Sequence, residues 1–115
     1  TILAQDGKVV LIVGAPGGST IITTVLQVIH NMVDFGMPVH DAVNVPRFHH
    51  QWRPDVIHYG PGSISPDTMV LLEAMGYELV PRYGYGEVNA ISRDKIFGGW
   101  VGAPDLKTAS HGAAY

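Results

Sequence analysis

The chain is 115 residues long, 46% apolar and 15% charged, enough to bury roughly 65% of its unfolded surface in one core. Seven basic against ten acidic side chains leave a formal charge of −3, so there is no basic field to hold a polyanion by counterion release and nucleic acid is not an expected partner. The absence of Cys removes thiol nucleophiles, disulfides and Cys-ligated zinc together, while fourteen Gly and eight Pro announce many turns and short elements.

Ile2 to Gly7 reads as a lead-in, with Asp6-Gly7 as a turn signal before the first strand. Lys8 to Ala15 is β-branched and continuously apolar through Val9, Val10, Leu11, Ile12 and Val13, which predicts a strand covered on both faces. This longest apolar run is far shorter than the roughly 20 residues a membrane span needs, so no span is expected in the chain. Pro16-Gly17-Gly18-Ser19 breaks the pattern, and the spacing becomes helical from Thr20, with Ser19 as the expected N-cap. Ile22, Leu26, Ile29 and Val33 fall on one stripe and Ile21, Val25, Val28, Met32 and Phe35 on its neighbour, while Thr20, Thr24, Gln27, Asn31 and Asp34 fill the polar remainder. Gly36 and Pro38 supply the stop.

A shorter helix over Val39 to Val45 ends at Pro46, because the residue before proline is pushed out of the helical region. Pro46 to Asp55 reads as a loop. Val56 to Tyr59 has strand composition, and Ser65-Pro66-Asp67 starts a helix whose buried face is marked by Met69, Leu72 and Met75 and whose end is Gly76. Tyr77 to Pro81, Glu87 to Ser92 and Ile96 to Val101 predict three further strands, the last two a hairpin joined by Arg93-Asp94-Lys95. From Gly102 to Tyr115 the chain is small and polar, a tail that orders only against another surface. The element order gives a mixed α/β (α+β) single domain, residues 1–115, with an antiparallel portion. Its strands are too few to complete a sandwich, so it reads as part of something larger.

Three places could carry chemistry. Gly14-Ala15-Pro16-Gly17-Gly18-Ser19 joins a strand to a helix, and two residues without Cβ let backbone N–H groups approach a ligand beside the positive end of the helix dipole. A phosphate, a carboxylate or the oxyanion of an attacked carbonyl would fit there; a small-anion binding module using Gly17-Gly18 and a tight turn with no ligand are the alternatives. The Lys of a P-loop and the spacing of a dinucleotide fingerprint are both absent. Pro46-Arg47-Phe48-His49-His50-Gln51-Trp52 gathers His, Arg and aromatics, but adjacent His side chains in extended backbone point apart and no third ligand follows at a metal-site spacing. No metal or other cofactor is expected. Arg47 and the histidines are expected to bond loop backbone, with Phe48 and Trp52 in the core. Thr1 could act as an N-terminal nucleophile, yet nothing places a Gly pair or an acid near it.

Taken together, Gly14 to Thr24, Asp34-Phe35-Gly36, Ala42-Val43-Asn44 and Pro46 to Trp52 with Pro54-Asp55 closely resemble the γ-glutamyltransferase (γ-glutamyltranspeptidase) family. The likeness is weaker over Ser65 to Gly76 and rests mainly on composition in the Tyr-terminated tail. It implies the αββα four-layer sandwich of the N-terminal nucleophile hydrolases, formed when a precursor (a zymogen) cuts itself into a large and a small subunit, with this chain as the C-terminal part of the small one. In that family the Thr exposed by the cut transfers a γ-glutamyl group from glutathione or a related amide to water, an amino acid or a peptide. The resemblance places that nucleophile, and the Ser pair that grips the glutamyl group, upstream of Thr1, so the chain alone is expected to be inactive. It assigns the oxyanion donors to the N–H groups of Gly17 and Gly18, names the rest of the small subunit and the large subunit as partners, and favours a periplasmic or secreted location. Thr20 stands where the family often has Arg, and cephalosporin acylases and poly-γ-glutamate-anchoring enzymes share the architecture, so the donor amide stays open.

Overall fold

The computed structural model describes residues 1–83, 86–94 and 96–108. Asp6 and Gly7 both take positive φ, 50° and 73°, the two-residue turn that matches the twist of an antiparallel pair. It folds β1 (Ile2–Gln5) back on β2 (Lys8–Gly14), so the segment expected as a lead-in is a strand. Ile2 pairs with Ile12 and Leu3 with Leu11, but Ala4 pairs with Val9, which leaves Val10 as the extra residue of a bulge. β6 (Asn89–Arg93) lies on the other side of β2, and β7 (Trp100–Ala103) closes a four-stranded antiparallel sheet in the order β1-β2-β6-β7.

The β6–β7 hairpin forms as expected, although its second strand begins at Trp100 rather than Ile96. The cause is Asp94, whose Oδ1 accepts from the N–H groups of Ile96 and Phe97 at 2.7 Å each and winds both into the turn. Lys95 lies outside the described residues.

Two helices cover one face of this sheet. α1 (Thr20–Val33) and α2 (Val39–Asn44) are separated at Gly36, φ 66°, and α2 stops one residue before Val45, as Pro46 requires. Val25, Val28, Val39, Ala42 and Val43 pack on Leu11, Val13, Val88, Ala90 and Ala103. The opposite face of β2 is not covered, against expectation. Ile12 is 42% exposed, and its register partners Ile2 and Ile91 are exposed beside it. The buried stripe of α1 also differs from the expected one: Thr20 and Thr24 are buried, whereas Ile22, Leu26 and Val33 are exposed. At Thr24 the reason is Gly86, where a Cβ would sit 2.4 Å from Thr24 Oγ1; the chain crosses α1 there too closely for a larger side chain.

The remaining elements form a second sheet of three strands, β3 (Phe48–His49), β4 (Val56–Tyr59) and β5 (Glu78–Pro81). β3 interrupts the stretch expected to be all loop, pairing antiparallel with β4 through Phe48–Tyr59 and His49–His58. β4 and β5 run parallel, so α3 (Pro66–Ala74) is the crossover that parallel strands need. Ser65 caps it through Oγ, which accepts from Thr68 N–H at 3.4 Å, with Pro66 at the first helical position and Gly76 just past its end at φ 93°. The expected buried face of α3 is not formed: Met69 and Leu72 are half-buried, and Met75 is 71% exposed. Among the described elements α3 packs only against β5. Beyond β7 the tail runs inward to Asp105, which is fully buried; the Tyr-terminated part, 109–115, lies outside the described residues. Among the described residues no helix is long and apolar enough to cross a membrane.

Candidate functional site

β2 delivers the chain to the glycine turn. Gly17 and Gly18 take φ values of 135° and 60°, the half of conformational space open to glycine. At Gly17 a Cβ would also stand 2.5 Å from Thr20 Oγ1. The carbonyls of both glycines point into the helix: Gly17 O accepts from Thr20 N–H at 3.2 Å and from the Thr20 hydroxyl at 2.9 Å, and Gly18 O accepts from Ile21 N–H at 3.2 Å. Among the described residues neither Gly17 N–H nor Gly18 N–H donates a hydrogen bond within the protein. Around Gly18 the space is open, with no atom within 4 Å of where a Cβ would be. Ser19 occupies the expected position but has helical backbone, φ −61° and ψ −24°, and makes no capping bond. Thr20 closes the turn instead. Two unused amides at the positive end of a 14-residue helix can hold a carboxylate, a phosphate or a developing oxyanion.

The Arg-His-aromatic stretch divides among separate tasks. His49 is buried, with Nδ1 2.7 Å from Thr23 Oγ1 and Nε2 2.9 Å from Gln51 Oε1. His50 turns the other way, to Asp55 Oδ1 at 2.8 Å and edge-on to Tyr77. His58 stacks on His49 with ring centroids 6.5 Å apart; burial, then the fields of Arg82 and His49, hold its ionisation below the ordinary histidine range, against a smaller opposing effect of Glu78. Phe48 and Trp52 do not enter the core as expected. Both are exposed, because β3 is an edge strand with His49 as its inward residue, and Trp52 sits in the following turn under the Arg53 guanidinium, 4.7 Å from it.

Arg47 does bond backbone, donating to Val43 O and Gly86 O at 2.5 Å each, and it also bonds Asp105 Oδ2 at 2.5 Å. Val88 N–H reaches the same carboxylate oxygen at 3.2 Å, and Lys107 N–H reaches Oδ1 at 3.0 Å. Burial pushes the Asp105 carboxyl up, but the Arg47 bond, the Lys107 N–H and both cationic fields together hold it below the usual carboxylate range. Burial and the Arg47 charge draw the Lys107 ammonium down, partly offset by Asp105. This cluster ties α2, the approach to β6 and the tail together. Asp105 escaped sequence reasoning, since one Asp in a small polar tail carries no pattern. Thr24 and Gln27 escaped because they fell on the helix face taken to be polar, and Thr23 because it stood on neither apolar stripe.

Two concavities lie away from the glycine turn. A groove of about 840 Å³ between Leu3, Met32, Met37, Val39, Ile96 and Val101 sits at the far end of α1, and a hollow of about 470 Å³ opens beside Arg47, Arg82 and Lys107.

The whole span 1–115 matches the family described as Gamma-glutamyltranspeptidase. The chain is 50% identical over 91 residues to the glutathione hydrolase proenzyme of Escherichia coli, a match that takes in 79% of this chain and 16% of that protein. Among solved structures it resembles a gamma-glutamyltranspeptidase mutant from Helicobacter pylori, with a TM-score of 0.86, 42% identity and coverage of 94% of this chain and 59% of that one. It resembles likewise a gamma-glutamyltranspeptidase from Pseudomonas nitroreducens complexed with L-DON, with a TM-score of 0.88, 34% identity and coverage of 100% and 60%. The chain therefore spans about a sixth of the E. coli proenzyme and about 60% of the solved chains.

Proposed function

We propose, from the premise that this chain belongs to the gamma-glutamyltranspeptidase family, that it is the C-terminal part of the small subunit of a γ-glutamyl-transferring amidase. Its contribution to the chemistry is the pair of amides at Gly17 and Gly18. A hydroxyl nucleophile on the rest of the protein adds to the γ-glutamyl carbonyl carbon of glutathione or a related amide, and the carbonyl electron pair moves onto oxygen. The two N–H groups receive that negative charge. The hydroxyl proton passes to the departing nitrogen as the C–N bond breaks, leaving an acyl ester and a free amine. Water or an acceptor amine then takes the acyl group and restores the hydroxyl.

The observation that carries this reading is the pair of N–H groups at the mouth of α1 that donate to nothing among the described residues, on backbone of positive φ and with open space beside Gly18. Fixed donors act strongly because they need no reorganisation when the charge develops. The uncovered face of the four-stranded sheet, with Ile2, Ile12 and Ile91 in one row, supports a further apolar layer against it, as the four-layer sandwich requires. That layer comes from the rest of the protein in this reading.

The test is Gly18→Pro in the full-length protein. Proline removes the donor and fixes φ near −65° where 60° is needed, and the loss of one oxyanion donor lowers kcat by about 10²–10³. Gly18→Ala keeps the N–H and has room for its methyl, though at the strain of a side chain at φ 60°, so it retains more of the turnover of a γ-glutamyl anilide than Gly18→Pro does. Unchanged kcat in a folded, matured Gly18→Pro protein refutes the role.

A further inference from the structure

We propose that His49, held as the Nε2–H tautomer between Gln51 and Thr23, is a positioning residue for the first turn of α1 and, through it, for the Gly17 and Gly18 amides; this rests on the oxyanion reading of that turn. The proton assignment follows from the partners. Gln51 Nε2 donates to the Arg53 carbonyl at 2.8 Å, which fixes the orientation of the amide and turns Oε1 toward His49 Nε2 at 2.9 Å. An amide oxygen only accepts, so His49 Nε2 carries the hydrogen. In the neutral ring Nδ1 is then an acceptor, and the donor facing it at 2.7 Å is the Thr23 hydroxyl. The same hydroxyl also lies within donating reach of Thr20 O at 3.2 Å; the ring nitrogen is the nearer acceptor, and Thr20 O takes the longer arm of a shared bond.

The position of Thr23 gives this bond its consequence. Thr20, one turn earlier, holds Gly17 O through both its N–H and its hydroxyl. One turn later, Gln27 Nε2 donates to Thr23 O at 2.8 Å and to Phe48 O at 2.7 Å, while its Oε1 accepts from Phe48 N–H at 3.1 Å. Phe48 and His49 thus grip α1 at two successive turns, and β3 is itself pinned to β4. The three-stranded sheet sets where the helix begins. His49 is 2% exposed and bonds neither glycine, so it acts through Thr23 and not on substrate.

The experiment compares two amide replacements in the full-length protein, reading kcat and KM for γ-glutamyl anilide hydrolysis together with Tm. His49→Asn puts an acceptor where Nδ1 stands and keeps the Thr23 bond. His49→Gln puts its amide where Nε2 stands and loses it. The expected result is a fall in kcat of about tenfold for His49→Gln with KM little changed, the scale of a small misplacement of catalytic groups, and substantial retention of kcat for His49→Asn despite a similar drop in Tm. Thr23→Val should match His49→Gln, and the double variant should be no worse than either single one; should His49→Gln fail to fold, Thr23→Val carries the test. Equal losses for Asn and Gln, losses that follow Tm, or full kcat in Thr23→Val overturn the inference. If Gly18→Pro abolishes turnover while Thr23→Val leaves it intact, only the positioning role falls; if Gly18→Pro is active, the oxyanion reading itself falls.

Discussion

Replacing Asp105 by Ala tests whether the buried ion pair with Arg47 holds the tail and the core together. The two side chains are 0% and 3% exposed, and the carboxylate also accepts from the N–H groups of Val88 and Lys107. Removing it takes the Asp105 carboxylate from a buried guanidinium and an acceptor from two amides, a loss of about 3–5 kcal/mol, which is a large share of the roughly 5–15 kcal/mol that a domain has in total. Urea denaturation followed by circular dichroism measures this directly, and amide exchange at Val88 reports the same event locally. The pair Arg47→Met with Asp105→Leu should be far milder than Asp105→Ala alone, because the buried guanidinium goes with the carboxylate and only the partly exposed Lys107 loses its ion pair. The native carboxyl titrates below its ordinary value of about 3.9. Its contribution is therefore complete above that value and is lost only as pH falls through the depressed native one. The gap between native protein and Asp105→Ala stays constant through neutral pH and narrows only in strong acid. An Asp105→Ala protein within about 1 kcal/mol of the native one at neutral pH, or a gap that already closes near pH 6, refutes the reasoning.

Three further outcomes are expected. Gly86→Ala combines φ 72° with a methyl 2.4 Å from Thr24 Oγ1 and should cost about 1–3 kcal/mol in urea denaturation, part of which Thr24→Ala restores in the double variant. His58 ionises below the ordinary histidine value of about 6.5, so the unfolded chain binds the proton first and stability declines as pH falls from about 6.5 through the native value. In His58→Gln the urea midpoint should lose that slope; an unaltered slope would contradict it. Gly18→Pro should lose turnover on the scale given above, while Gly18→Ala keeps the donor.

Most of the element order was legible because local chemistry and tertiary structure agree. Pro46 stops α2, Gly36 separates the helices, and Ser65-Pro66 opens α3, each through a constraint on its own backbone. What was not legible depends on neighbours distant in sequence. Thr20 and Thr24 read as polar, yet both are buried, Thr24 against Gly86, which leaves no room for a larger side chain, and Thr20 against Gly17 in the turn. The run Val9 to Val13 gives no hint of which face this chain fills and which it leaves open. Asp105 becomes important only when Arg47, 58 residues away, meets it. The glycine turn was visible as a place where N–H groups could be offered, but the closing hydroxyl of Thr20, not Ser19, is a matter of helix geometry that composition does not record.

The side chain of Gln27 has a consequence for the molecule's borders. With its N–H and C=O both engaged by Phe48, it copies the bonding of one residue of an adjoining strand and occupies the rim of β3. A rim satisfied in this way offers no template at that point for a foreign extended segment. The helix thus terminates the smaller sheet as well as covering the larger one, and a single amide side chain guards the border against unwanted pairing.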